Sequence, residues 1–90
     1  MVDFEYEIRR LEIMEQWSKE GLTSLRELAL ALGRETIFSP ADVVRAARAL
    51  SDHSVPEERI LSDKLKKTLQ FSVHKGISLS QSSDVVGLLE

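Results

Sequence analysis

The stretch SPADVVRAARALS, residues 39–51, decides how this chain folds. Ser39 suits the position before a helix, where its hydroxyl accepts from an amide that has no intrahelical acceptor. Pro40 fits the first turn, which has no need of its missing N–H, and Asp42 meets the positive end of the helix dipole. Val43, Ala46, Ala47 and Leu50 then recur three and four residues apart, on one face of a helix. The small alanines on that face leave room for a neighbouring helix to come close.

The same period recurs on both sides of this segment and predicts helices over about 3–19, 25–32, 40–51, 55–74 and 84–89. In the first, Phe4, Ile8, Leu11 and Met14 stand at helical steps, and Gly21 reads as the stop. In the second, Ser24 with Glu27 fits a capping box, Leu25, Leu28, Ala29 and Leu32 form a stripe, and Gly33 reads as the end. Ser54, Pro56, Glu57 and Glu58 mark the start of the fourth, and Leu61, Leu65, Leu69 and Val73 line one side of it. Lys66, Lys67, His74 and Lys75 suit its negative end, and Gly76 closes it. Ser82 or Ser83 then caps a short last helix that contains Gly87. There is no Asn and no hairpin signal, so extended pieces are expected only near Thr36–Phe38 and Ile77–Leu79. The expectation is an all-α fold, a compact bundle of four to five short helices forming one domain over 1–90.

The first helix carries two apolar sides. Phe4, Ile8 and Leu11 share one direction, while Val2, Tyr6, Ile13 and Trp17 share another. Two stripes need two covers. Either this helix is the centre of the bundle, or one stripe packs on the domain and the other meets a second chain.

Composition narrows the function classes. The 90 residues carry 12 Lys and Arg against 15 Asp and Glu, a formal charge of -3, and no Cys. Disulfides, thiolate metal sites and Cys nucleophiles are therefore excluded. The acidic, amphipathic start lacks the basic residues and apolar run of a secretory signal, and no stretch is apolar enough to span a membrane. A cytoplasmic location with no membrane partner is the expectation.

Several constellations bear on chemistry. Residues 24–51 imitate a helix-turn-helix, with Arg34, Arg45 and Arg48 able to reach a DNA backbone. Against it, the connector 34–39 is longer than the ~3–4 residues usual for that motif, and Asp42 would repel phosphate. Lys64, Lys66, Lys67 and Lys75 form the densest basic cluster, suited to phosphate or an acidic partner, or simply to a solvated helix face. Arg45 and Arg48, on the outer side of the third helix, suit an acidic partner surface or ion pairs with the acidic first helix. His53 and His74 have no zinc-ligand spacing. No nucleophile motif or Gly-rich phosphate loop is present, so no catalytic residue, cofactor, metal or small-molecule substrate is expected.

The sequence thus points to a small non-enzymatic regulatory or adaptor protein acting by protein–protein binding. Tyr6, Ile13 and Trp17 would dock on another protein or on a second copy as a homodimer, with Arg45 and Arg48 setting orientation. The runner-up is a DNA-binding transcriptional regulator using residues 24–51.

Overall fold

A computed structural model of the chain describes residues 3–88, which form five helices and no strand. Helix α1 is Asp3–Met14, α2 is Lys19–Glu35 and α3 is Pro40–Asp52. Helix α4 runs unbroken through Glu57–Arg59, a π-helical turn at Ile60–Lys64, and Leu65–Lys75, and α5 is Leu79–Leu88. The all-α bundle expected from the periodicity is the fold found. Val2 and the last residue of the expected 84–89 helix lie outside the described residues.

Helix α3 is the centre, packing on each of the other four. Its Val43, Val44, Ala46, Ala47 and Leu50 are all buried. It begins as its sequence prescribes. The Ser39 hydroxyl accepts from the Asp42 amide at 3.1 Å, and the Asp42 carboxylate accepts from the Ser39 amide at 3.2 Å. It ends without glycine. Ser54 takes the left-handed conformation at φ 66, and the Val55 amide bonds back to the Leu50 carbonyl at 3.2 Å.

Two expected stops prove to be helix interior. Helix α1 ends at Met14, five residues before the predicted end, where Gln16 turns left-handed at φ 56 and the Trp17 amide bonds the Leu11 carbonyl at 3.4 Å. Ser18, not Ser24, caps α2, its hydroxyl accepting from the Gly21 amide at 2.9 Å. Glu57 locks that cap from α4, accepting from the Ser18 hydroxyl at 2.6 Å and the Ser18 amide at 3.1 Å. Gly21 and Gly33 therefore both lie within α2. Gly33 is small because the Pro40 ring presses on it: a Cβ there would lie 2.8 Å from Pro40 Cγ. With α2 running on to Glu35, its connection to α3 shrinks to Thr36–Ser39.

Helix α5 starts at Leu79, earlier than predicted, because Ser78 and Gln81 form a second reciprocal cap. The Gln81 amide donates to the Ser78 hydroxyl at 3.1 Å and the Ser78 amide to Gln81 Oε1 at 3.4 Å. Ser82 and Ser83 are not caps but buried helix residues, with the Ser82 hydroxyl donating to the Thr68 carbonyl and the Ser83 hydroxyl to the Leu79 carbonyl. Small side chains on both helices let α5 lie close to α3. Gly87 meets the His53 ring there, and a Cβ would fall 2.6 Å from His53 Cγ. Gly87→Ala is therefore expected to destabilise by about 1–2 kcal/mol, although Ala is normally worth about 1 kcal/mol over Gly inside a helix. Urea denaturation checks the sign, and a gain would mean that His53 swings aside freely.

The π turn realigns α4. The Leu65 amide bonds the Ile60 carbonyl, five residues back. Ile60 and Leu65 are both fully buried, although an unbroken α-helix would separate them by ~140°. Past the turn the inner face is Leu65, Thr68, Leu69 and Ser72. Val73, expected on that face, points outward instead.

Candidate functional site

The five residues expected to bind a partner divide into three groups. Tyr6 and Ile13 stand out on α1, 59% and 68% exposed, while Phe4, Ile8 and Leu11 turn inward. Met14 extends the exposed strip, and the Arg10 guanidinium lies 5.7 Å from the Tyr6 ring centroid. Trp17 is a correction. It is only 6% exposed and belongs to the core. Helical geometry placed it beside Ile13, but the helix has already ended, and the reversal at Gln16 turns the indole inward. Its N–H donates to the Ser51 hydroxyl at 3.3 Å.

Arg45 and Arg48 also depart from the expectation of an open, orienting pair. Both lean on Glu7 of α1, which is buried. Arg45 Nε reaches Glu7 Oε2 at 3.2 Å, and Arg48 Nε stands 3.6 Å from Glu7 Oε1. Arg45 also meets Asp42 one turn earlier, at 3.0 Å. The two cations thus clamp α1 onto α3, and their charge is largely answered within the chain. Arg34 stands on α2, apart from this clamp.

A polar chain runs from the buried indole to the surface. The Ser51 hydroxyl in turn donates a hydrogen bond to Glu15 Oε1 at 3.1 Å. A carboxyl–carboxyl hydrogen bond with Asp52, helped by partial burial, holds Glu15 above its ordinary pKa. A raised carboxyl pKa means the ionised form is disfavoured in the fold. That penalty is absent below the ordinary value of roughly 4.3 and is complete once the pH exceeds the raised one. Glu15→Gln is thus expected to raise the melting temperature at pH 7 and to change it little at pH 3.5. Thermal melts at the two pH values test this, and an equal change at both would contradict it.

A further surface feature lies elsewhere, on α4. Between the end of α2 and α4 runs an open groove of about 670 Å³. Its floor is Leu32 and Leu69, and Phe38 packs partly against the core beside them. One wall is the connection after α2, where Ile37 is 85% exposed. That connection is fixed by Thr36, whose hydroxyl donates to the Leu32 carbonyl at 2.8 Å and accepts from the Phe38 amide at 3.1 Å. The other wall is one face of α4: Lys66, Leu69, Gln70, Val73 and His74, at helical spacing. A second depression of about 420 Å³ lies on the opposite flank of α4, against Val86 of α5, and shares Gln70 and His74 with the first.

No known protein family, curated protein or solved structure matches this chain. The chemistry of its surface is therefore the guide to its role. Among the described residues, no three His, Cys, Asp or Glu side chains gather as a metal site would require. No helix of the described residues is long and apolar enough to cross a membrane. His53, which caps α3, pairs with Asp84 of α5 at 3.1 Å.

The lysine cluster on α4 was visible in the sequence. The groove was not, because half of it comes from Ile37 and Phe38. Those residues read as an unremarkable extended piece, and nothing local says that α2 ends beside the middle of α4.

Proposed function

We propose that this chain is a non-enzymatic regulatory or adaptor protein that works by binding another protein. The observation that carries this reading is the apolar groove beside α4. Ile37 and Val73 hold apolar surface in water on either side of it, on a scaffold pinned by the Thr36 hydrogen bonds. Rigid exposed apolar surface beside charged residues is what a docking protein presents, because the partner gains burial without having to order the site. The strip of Tyr6, Ile13 and Met14 on α1 supports self-association as a second reading. Arg45 and Arg48, already held by Glu7, support DNA recognition only weakly.

Affinity capture from the native host tests the main reading, using the wild-type chain, Ile37→Asp and Ile13→Asp. The expected result is a protein retained by wild type and by Ile13→Asp but lost with Ile37→Asp, with helical circular dichroism unchanged in all three. Identical retained sets would overturn it. Light scattering checks the second reading: a dimer that Ile13→Asp converts to monomer supports it. A gel shift with random duplex DNA near physiological salt is expected to show no binding.

A further inference from the structure

We propose that the depression between α4 and α5 binds an acidic segment of a partner protein, in which one large apolar side chain stands among carboxylates. The inference rests on the protein-binding reading above, but it uses the flank of α4 opposite the Ile37 groove. The depression holds about 420 Å³ and is lined by Lys64, Lys67, Gln70, Phe71, His74 and Val86. Charge selects the occupant. Among the described residues, two lysines line the depression and no carboxylate does. The Ile37 groove differs, because Lys66 and Glu35 both line it and its lining favours neither sign. Lys67 pairs with Asp63 at 3.3 Å, and Lys64 also has an interaction within the chain. An ammonium carries three N–H donors, so one contact within the chain leaves donors for an incoming carboxylate. The Lys67–Asp63 pair is solvent-exposed on both sides, and exposed pairs hold their members weakly.

Spacing is the second support. Lys64, Lys67, Phe71 and His74 follow one another at steps of three and four, so they share one face of α4 over a rise of about 15 Å. The two cations lead that face. Phe71, half-buried, and Val86 of α5 then supply apolar surface for an apolar side chain. The Gln70 amide and the His74 ring offer further donors for acceptors beside it. A short segment also suits the chain's formal charge of -3. A long polyanion such as nucleic acid would bring many charges near the acids elsewhere on the surface, whereas a few carboxylates engage the local cations alone.

The test uses labelled peptides: one with a single Leu between pairs of Glu, one with Gln in place of every Glu, and one with Ala in place of the Leu. Fluorescence anisotropy with the full chain is run at about 0.15 M salt, where exposed charges more than ~8 Å apart are largely screened. The Glu–Leu peptide is expected to bind at least about tenfold tighter than the Gln peptide and about fivefold tighter than the Ala peptide. Lys67→Glu should weaken it roughly tenfold. Lys66→Glu makes the same charge change beside the Ile37 groove and should weaken it by less than about twofold. Ile37→Asp should leave it unchanged, and circular dichroism should show all three variants equally helical. Equal losses with Lys66→Glu and Lys67→Glu, or equal binding of the Glu and Gln peptides, would overturn the proposal. Binding of none of the peptides would overturn it too, yet a protein captured by wild type and lost with Ile37→Asp would still uphold the broader reading. Inorganic phosphate bound by wild type and not by Lys67→Glu, with no peptide bound, would assign the lysines to a phosphate ligand instead. Sedimentation with phosphatidylserine vesicles that Lys67→Glu abolishes, again with no peptide bound, would assign them to a membrane surface, with the same consequence.

Discussion

Trp17→Ala is expected to lower the unfolding free energy by about 3–5 kcal/mol, the range for deleting a large buried aromatic. The indole is 6% exposed, so its removal opens a cavity among core residues that cannot all collapse into it. It also leaves the Ser51 hydroxyl without its donor. A domain of 90 residues has about 5–13 kcal/mol of stability in total, so the loss takes a large share of it. Urea denaturation followed by circular dichroism measures it, since this is the only tryptophan and its fluorescence leaves with it. Trp17→Phe keeps most of the packing and loses one hydrogen bond, for an expected cost of about 1–2 kcal/mol. Tyr6→Ala and Ile13→Asp, on the exposed strip of α1, should shift stability by less than about 0.5 kcal/mol. If Trp17→Ala left the unfolding midpoint where it was, the indole would not be core and the α1–α2 reversal would be misplaced.

Glu7→Gln should cost about 2–3 kcal/mol. The carboxylate is buried and answers two cations, Arg45 at 3.2 Å and Arg48 at 3.6 Å. Removing one member of a fully buried ion pair costs about 3–5 kcal/mol, because the other charge is left without a partner. Exposed pairs are worth about 0–1 kcal/mol. Here the guanidiniums reach water on one side, with side-chain exposures of 43% and 29%, so the stranded charges are partly solvated and the loss falls between those limits. A double-mutant cycle of Glu7→Gln with Arg48→Gln isolates the coupling, which should exceed about 0.5 kcal/mol. Full additivity would mean that Arg48 adds nothing to the hold on Glu7, leaving Arg45 as the cation that answers it.

The helices were legible in the sequence wherever their signals were local. Ser39, Pro40 and Asp42 cap α3 from within four residues, and the predicted 40–51 differs from the observed helix by one residue. Ser78 and Gln81 carry the same kind of signal for α5, but Ser82 and Ser83, closer to the apolar run, compete with it as apparent caps. Other boundaries have no local cause. Gly21 and Gly33 look like helix stops, yet they are small because Glu57 and Pro40 press on them from other elements. The true stops at Gln16 and Ser54 are residues with no strong preference for a left-handed backbone, held there by the packing of Trp17 and Val55. The site followed the same division. Tyr6 and Ile13 could be placed from helical spacing, whereas Trp17 lay just past an unannounced break. The lysines of α4 could be seen as a cluster, but Val73 joined the groove only because the inner face past residue 65 follows Thr68 and Ser72.

The five-residue step between Ile60 and Leu65 has a consequence for how this chain tolerates change in length. Both residues point to the core, and an ordinary helix would bring them into line at a step of four. The turn therefore accommodates one surplus residue, and exposed Ser62 lies within it. Excising Ser62 would convert the bulge to regular helix and restore the i to i−4 bonding pattern, with Lys66 through His74 keeping their outlook over the groove. A deletion anywhere in Leu65–Lys75 would instead swing the remainder of the helix by about 100° and turn its lysines away.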